Sequence, residues 1–187
     1  MARAGLTADR LTLAAAELAD QVGFENVTVS AVARRFGVKD ASLYSHIKGA
    51  QDLRVRIAVL ALGEMADAAA AALAGRAGKD ALAAFADAYR TYAKDHPGRY
   101  AAAQLRLDPE TAAASAAPRH AQLTRALLRG YHLDEPDETD AVRLLHSTFH
   151  GFVTLETSGA FATHPRDADT SWRRALDALD ASLRNWP

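Results

Sequence analysis

The sequence predicts an all-α protein, and three observations point that way. Alanine, the strongest helix former, fills 44 of the 187 positions. The β-branched and aromatic residues that build strands are sparse and nowhere alternate over a useful length. Glycine and proline fall as punctuation between stretches of helix formers, at Gly23, Gly37, Gly49, Gly75, Gly78, Pro97-Gly98, Pro109, Pro118, Gly130, Pro136 and Pro165.

Between these marks lie about nine helices, near 7–22, 28–36, 40–46, 50–75, 79–95, 98–106, 112–130, 137–160 and 168–185. The first carries Leu11, Ala14, Ala15, Leu18 and Val22 on one stripe. The second and third are short and meet at Gly37. Gly49 and Gly75 bound the fourth. The fifth has Leu82, Phe85, Tyr89 and Tyr92 at helical spacing, and the sixth opens at Pro97-Gly98. Pro118 stands inside the seventh, which is tolerable only in a first turn, so a break is expected there. The eighth has Val142, Leu145, Phe149 and Phe152. The ninth has Trp172, Leu176, Leu179, Leu183 and Trp186 in a 4-3-4-3 spacing.

Composition excludes several functions. A chain of 20.0 kDa fits one compact domain, or a small domain fused to a larger one. With 49% hydrophobic and 24% charged residues it is expected to be globular. Without cysteine it has no disulfide, no Cys-ligated zinc, no iron–sulfur cluster and no cysteine nucleophile. The nucleophile elbow, the dinucleotide fingerprint and the P-loop are absent. His146 and His150 have the i, i+4 spacing of a zinc pair, but no third ligand accompanies them. The acids Asp134, Glu135, Asp137, Glu138 and Asp140 lack EF-hand spacing and read as a solvated loop at a helix N-terminus. No enzyme activity, metal or cofactor is therefore expected. The N-terminus lacks the apolar core of a signal peptide, and no 18-residue apolar run is free of charge, so a cytoplasmic protein without membrane spans is expected.

The informative stretch is 28–46. A short helix buries Val29, Val32, Ala33 and Phe36, ends at Gly37, and is followed by Val38 and a second short helix with Leu43 and Tyr44. Two short helices joined by a glycine-containing turn form a helix-turn-helix. Ala33 allows the two to approach closely, while Val38 and Leu43 fill the corner. The second helix shows a polar outer face of Lys39, Asp40, Ser42 and Ser45, suited to the major groove. Thr28, Tyr44, His46 and Lys48 flank it as candidate phosphate contacts, and Arg3 could reach the adjacent minor groove. Residues 1–50 carry a net charge of only +1, so the motif rather than electrostatics argues for double-stranded DNA.

The features Gly23-Phe24, Thr28-Val29, Ala33, Gly37-Val38, Leu43-Tyr44, His46 and Leu53 fall in the order and spacing of one family. Over residues 8–60 the chain resembles the N-terminal domain of TetR-family transcriptional regulators. Four positions depart from that pattern. Lys39 stands where a Ser or Thr usually caps the recognition helix, with Asp40 the expected replacement cap. Ala41 replaces Gly, Ile47 replaces Phe, and Ala50 replaces a phosphate-pairing Lys.

The resemblance implies a DNA-binding domain over 1–50 and a larger ligand-binding and dimerisation domain over 51–187. The His150-Gly-Phe-x-x-Leu-Glu156 segment and the His96-Pro-Gly-x-Tyr100 turn resemble one C-terminal subgroup of that family. Tyr89, Tyr92, Tyr100, Gln104, His146, Phe149 and His150 are the candidate pocket residues for a small-molecule effector. Leu155, Trp172, Leu176, Leu179 and Leu183 are the candidates for a homodimer interface, although packing within one chain would produce the same stripe on the last helix. The expected function is a repressor that binds a palindromic operator as a dimer and leaves it on binding a ligand. The alternative is a helical small-molecule-binding protein whose helix-turn-helix no longer binds DNA.

Overall fold

The computed structural model describes residues 6–187. Among the described residues it contains nine α-helices and no strand: α1 (Ala8–Val22), α2 (Val29–Phe36), α3 (Ala50–Leu73), α4 (Gly78–Asp95), α5 (Pro97–Ala103), α6 (Pro109–Ala114), α7 (Ala117–Leu128), α8 (Asp137–Thr157) and α9 (Ala168–Arg184). Single 3-10 turns lie at Phe24–Asn26, Asp40–Ser42 and Arg129–Tyr131. The all-α expectation holds, but two helices are reorganised.

The helix expected over 40–46 is a 3-10 turn at Asp40–Ser42 continued by turn residues. Asp40 does not cap it. Its carboxylate accepts a hydrogen bond from the Ser30 hydroxyl of α2, and Lys39, at the cap position, has no side-chain acceptor to offer. The helix expected over 112–130 is two helices. Asp108 caps α6 by accepting from the Thr111 amide at 3.0 Å, and Pro118 sits in the first turn of α7, where its missing N–H costs nothing.

The chain forms two compact units by its contacts: Met1–Glu64 with Asp95–Ala116, and Met65–Lys94 with Ala117–Pro187. The single helix α3 contributes to both. This is a division of packing.

In the first unit, Thr7 caps α1 and Thr28 caps α2, each oxygen accepting an amide three residues on. At the end of α2, Gly37 takes φ 65°, and the amides of Gly37 and Val38 bond to the carbonyls of Arg34 and Ala33. This Schellman closure needs a residue that tolerates the left-handed region, and it turns the chain toward the Asp40 turn. Leu11, Ala15, Phe24, Val32, Ala33, Leu43, Ile47, Leu53 and Ile57 are buried together as the core.

Helix α5 packs on α1 in the same unit. A methyl group at Gly98 would lie 2.0 Å from the Ala19 carbonyl oxygen, so the two backbones touch and only glycine fits. Beside it, Asp20 accepts from the Arg99 amide at 2.9 Å and pairs with the Arg99 guanidinium at 3.0 Å. The same guanidinium pairs with Glu64 at 3.0 Å, so the buried Arg99 ties α1, α3 and α5 together.

In the second unit, Phe85 of α4, Phe149 of α8 and Trp172 of α9 are buried in one cluster with Leu82, Leu127, Leu128, Leu145, Leu176, Leu179 and Leu183. The Trp172 indole N–H donates to Asp87 at 2.7 Å, and the Tyr131 hydroxyl donates to Asp180 at 2.8 Å. Arg90 holds Glu156 through a bidentate contact, one arm 2.7 Å long, and reaches Asp169 at 2.6 Å.

The hydrogen bonds from Arg90 are the main reason the Glu156 carboxyl is held below its ordinary 4.5, with burial opposing them. A depressed carboxyl contributes stability that is present above its ordinary value and lost as pH falls through the lower folded value. Glu156→Gln is therefore expected to flatten the acid limb of the stability–pH curve measured by urea denaturation. An unchanged acid limb would contradict the pairing.

Candidate functional site

The helix-turn-helix presents its candidates from two buried anchors. Leu43 and Ile47 point into the core four residues apart, and the Ile47 amide bonds to the Leu43 carbonyl at 3.0 Å. Residues between and beside them are thereby turned outward. Lys39, Asp40, Ser42, Tyr44 and Lys48 are exposed, Tyr44 by 57%, while His46 is half-buried. Thr28 is exposed at the start of α2. Its oxygen accepts the Ala31 amide at 3.1 Å, which leaves its own proton to donate, as a phosphate contact requires. Lys48 ends the turn, and its amide donates to Asp52 at 3.0 Å in the first turn of α3, fixing where that lysine leaves the backbone. Burial pushes the Asp52 carboxyl up, but the Lys48 amide and Arg56 outweigh it, so the group lies below its ordinary value.

Not every basic residue nearby is available. Arg35 turns back to pair with Glu17 at 2.5 Å and reaches Gln21 at 3.4 Å. Arg54 lies over the Phe24 ring at 4.4 Å and pairs with Glu25 at 2.7 Å. Asp40 is held by Ser30 and so serves to tie the turn to α2. Arg3 lies outside the described residues.

The candidate effector residues separate. Tyr89, Tyr92, His146 and Phe149 belong to the second unit, whereas Tyr100 and Gln104 belong to the first. Tyr89 lies 6.3 Å from Phe85 and 6.5 Å from Phe149, ring to ring. Phe149 is fully buried and Tyr92 nearly so. Tyr100 is buried, but Gln104 is exposed and its amide reaches only the Tyr100 carbonyl at 3.4 Å. His150 is also exposed, which corrects the inward placement expected for it. One residue past the buried Phe149, it lies about 100° round the helix on the outer face.

Two residues of this cluster were not singled out from the sequence. His120 of α7 meets the Tyr89 ring edge-on at 6.4 Å, and Thr124 lies 3.4 Å from His146 Nε2. Their signal was the i, i+4 spacing of His120, Thr124 and Leu128 on one stripe, hidden by the break near Pro118. Burial pushes the Tyr89 hydroxyl up to about 12. Burial, helped by the neighbouring His120, lowers His146, so both side chains are neutral at pH 7. Among the described residues no three histidine or acidic side chains gather closely enough to hold a metal ion.

The stripe on α9 is corrected too. Trp172, Leu176, Leu179 and Leu183 are between 1% and 7% exposed, so they form the chain's own core and are not free to meet a partner. Of the expected interface residues, Leu155 is exposed, at 47%, on α8.

Residues 11–56 match the family model for bacterial regulatory proteins of the tetR family, and residues 82–179 match the tetracyclin repressor-like C-terminal domain. The uncharacterized HTH-type transcriptional regulator YobS of Bacillus subtilis is 33% identical over 98% of this chain and 92% of its own length. The chain belongs to the TetR family. The uncharacterized HTH-type transcriptional regulator Rv0681 of Mycobacterium tuberculosis is 35% identical over 88% of this chain and 77% of its own length. A protein of unknown function from Rhodococcus shares the fold at TM-score 0.81 and 20% identity, with 98% of each chain covered. A TetR variant from Acinetobacter baumannii in complex with minocycline shares it at TM-score 0.71 and 22% identity, with 97% and 98% covered. As a TetR-family member the protein is a DNA-binding transcriptional regulator and not an enzyme. No helix among its described residues is long and apolar enough to cross a membrane.

Proposed function

We propose that the protein is a one-component repressor in which residues 1–50 bind a palindromic operator and residues 51–187 dimerise and sense a small molecule. The observation that carries the DNA-binding half is the outward set Thr28, Lys39, Ser42, Tyr44 and Lys48, held by the buried Leu43 and Ile47. In this reading Thr28, Tyr44, His46 and Lys48 position the protein on phosphates, and Lys39 and Ser42 reach base edges. Arg3 enters the adjacent minor groove. Asp40 acts by holding the turn in place.

The effector half rests on Tyr89, His120, Thr124, His146 and Phe149, where hydroxyls and imidazoles stand among aromatic rings. That mixture suits a small molecule with an apolar body and a few hydrogen-bonding groups. The minocycline complex of a protein with the same fold supports a small-molecule effector. Two copies of this chain would meet through the outer side of α8, where Leu144 and Leu155 are exposed on either side of Ser147, Gly151 and Thr154. A two-fold dimer suits a palindromic site. Helix α3 runs unbroken from Ala50 to Leu73, starting beside Lys48, so a ligand that favours one arrangement of the C-terminal helices shifts the setting of the reading head. It would act in the cytoplasm, on the genome.

The division of roles is tested by fluorescence anisotropy on operator and scrambled DNA. Tyr44→Phe and Lys48→Ala are expected to weaken binding to every sequence, with Lys48→Ala lowering the salt slope by about 1. Lys39→Ala and Ser42→Ala are expected to change which sequence is preferred. Equal losses on all sequences for all four variants would overturn the assignment.

A further inference from the structure

A cavity lies in the C-terminal unit, lined by none of the residues of the Tyr89–His146 cluster. It has a volume of about 270 Å³ and is lined by Phe152, Phe161, His164, Pro165, Arg166, Ala168 and Ser171. These residues come from the end of α8, the connection to α9 and the first turns of α9. Phe152 and Phe161 are inclined at 62°, 5.0 Å between centroids, and so form two walls of a corner. A flat ring entering that corner stacks on one wall and meets the other edge-on, the two arrangements aromatic rings prefer.

The polar side of the cavity is cationic. Arg166 and Ser171 have no side-chain hydrogen bond or ion pair among the described residues, and the His164 ring lies 6.2 Å from the Phe161 ring, centroid to centroid. The neighbouring carboxylates are already engaged. Asp167 caps α9 by accepting from the Thr170 amide at 2.7 Å, and Asp169 pairs with Arg90 at 2.6 Å. The uncommitted charge at the cavity is therefore the Arg166 guanidinium, whose planar fork matches a carboxylate. The volume falls below the ~300–1,000 Å³ of sites for drug-sized ligands, which limits the occupant to about one ring.

We propose that this cavity is a binding site for a single-ring aromatic carboxylate, with the ring in the Phe152–Phe161 corner and the carboxylate on Arg166, assisted by His164 and the Ser171 hydroxyl. The site shares no lining residue with the proposed effector cluster. It braces the α8–α9 connection, and it touches Trp172 through Phe152, 4.8 Å away ring to ring.

Isothermal titration calorimetry of the full chain with benzoate, benzamide and cyclohexanecarboxylate tests this. Benzoate is expected to bind at least about tenfold more tightly than the uncharged benzamide and the non-aromatic cyclohexanecarboxylate. Arg166→Gln, at an exposed position, is expected to erase the preference for benzoate over benzamide without lowering the melting temperature. Ser171→Ala should weaken benzoate by a smaller factor, and Tyr89→Phe should leave it unchanged. The proposal is overturned by no benzoate binding up to about 10 mM, by an unaltered preference in Arg166→Gln, or by loss of benzoate binding in Tyr89→Phe, which would place the ligand in the other cluster.

Discussion

Gly98→Ala is expected to cost the first compact unit at least about 3 kcal/mol, enough to unfold it at moderate temperature. The added methyl would sit 2.0 Å from the Ala19 carbonyl oxygen, 2.1 Å from its carbon and 2.5 Å from the Asp20 amide nitrogen. These are backbone atoms of α1, so no rotamer change relieves the clash. The helices must separate by more than about 1 Å to restore van der Waals distance. That separation also lengthens the Asp20–Arg99 contacts and leaves a buried guanidinium poorly paired. A urea titration followed by circular dichroism measures the loss. A variant with the wild-type midpoint would show that α1 and α5 are not in backbone contact.

Trp172→Ala is expected to cost about 3–5 kcal/mol in the second unit, the range for removing a large buried aromatic. The indole is 2% exposed, lies 4.8 Å from Phe152 and 5.9 Å from Phe149, and donates to Asp87. Arg90 stands 5.5 Å over its ring, so the Arg90–Glu156 pair also loses a neighbour. Trp172→Phe keeps a ring but loses the hydrogen bond, and it should cost clearly less. Because the α9 stripe belongs to the chain's own core, the loss should be the same at low and high protein concentration. A loss below about 1 kcal/mol, or one seen only where the chain self-associates, would move this face into an interface.

What was legible in the sequence was local. The Gly37 turn and, Val22 aside, the helical stripes depend on residues within a few positions of one another, and they appear where expected. What was hidden depended on contacts across the chain. Asp40 was a reasonable cap by residue type, but its carboxylate is taken by Ser30, ten residues earlier. The 4-3-4-3 stripe of α9 showed that one face is covered, and periodicity is the same whether the cover is the chain itself or a second copy. His150 stands one residue from Phe149, and a step of about 100° separates an inward from an outward side chain, finer than a sequence stripe resolves. The His96-Pro97-Gly98 turn stood out by resemblance, yet the need for glycine there comes from α1, almost eighty residues away in sequence. His120 and Thr124 escaped notice because the partners that mark their face, Tyr89 and His146, lie more than twenty residues away in sequence.

Operator binding is the property on which the proposed function turns. Ala50 adds no cation at the start of α3, and Arg35 is turned toward Glu17, so few exposed cations remain to carry it. The most direct measurement incubates the protein with fragments of its own genome, recovers what binds and repeats the recovery over a salt series. The expected result is a few palindromic intergenic fragments whose affinity falls steeply with salt, because each phosphate contact releases counterions. Recovery no better than background at low salt, without effector, would contradict it and would support a helical ligand-binding protein that has lost its DNA.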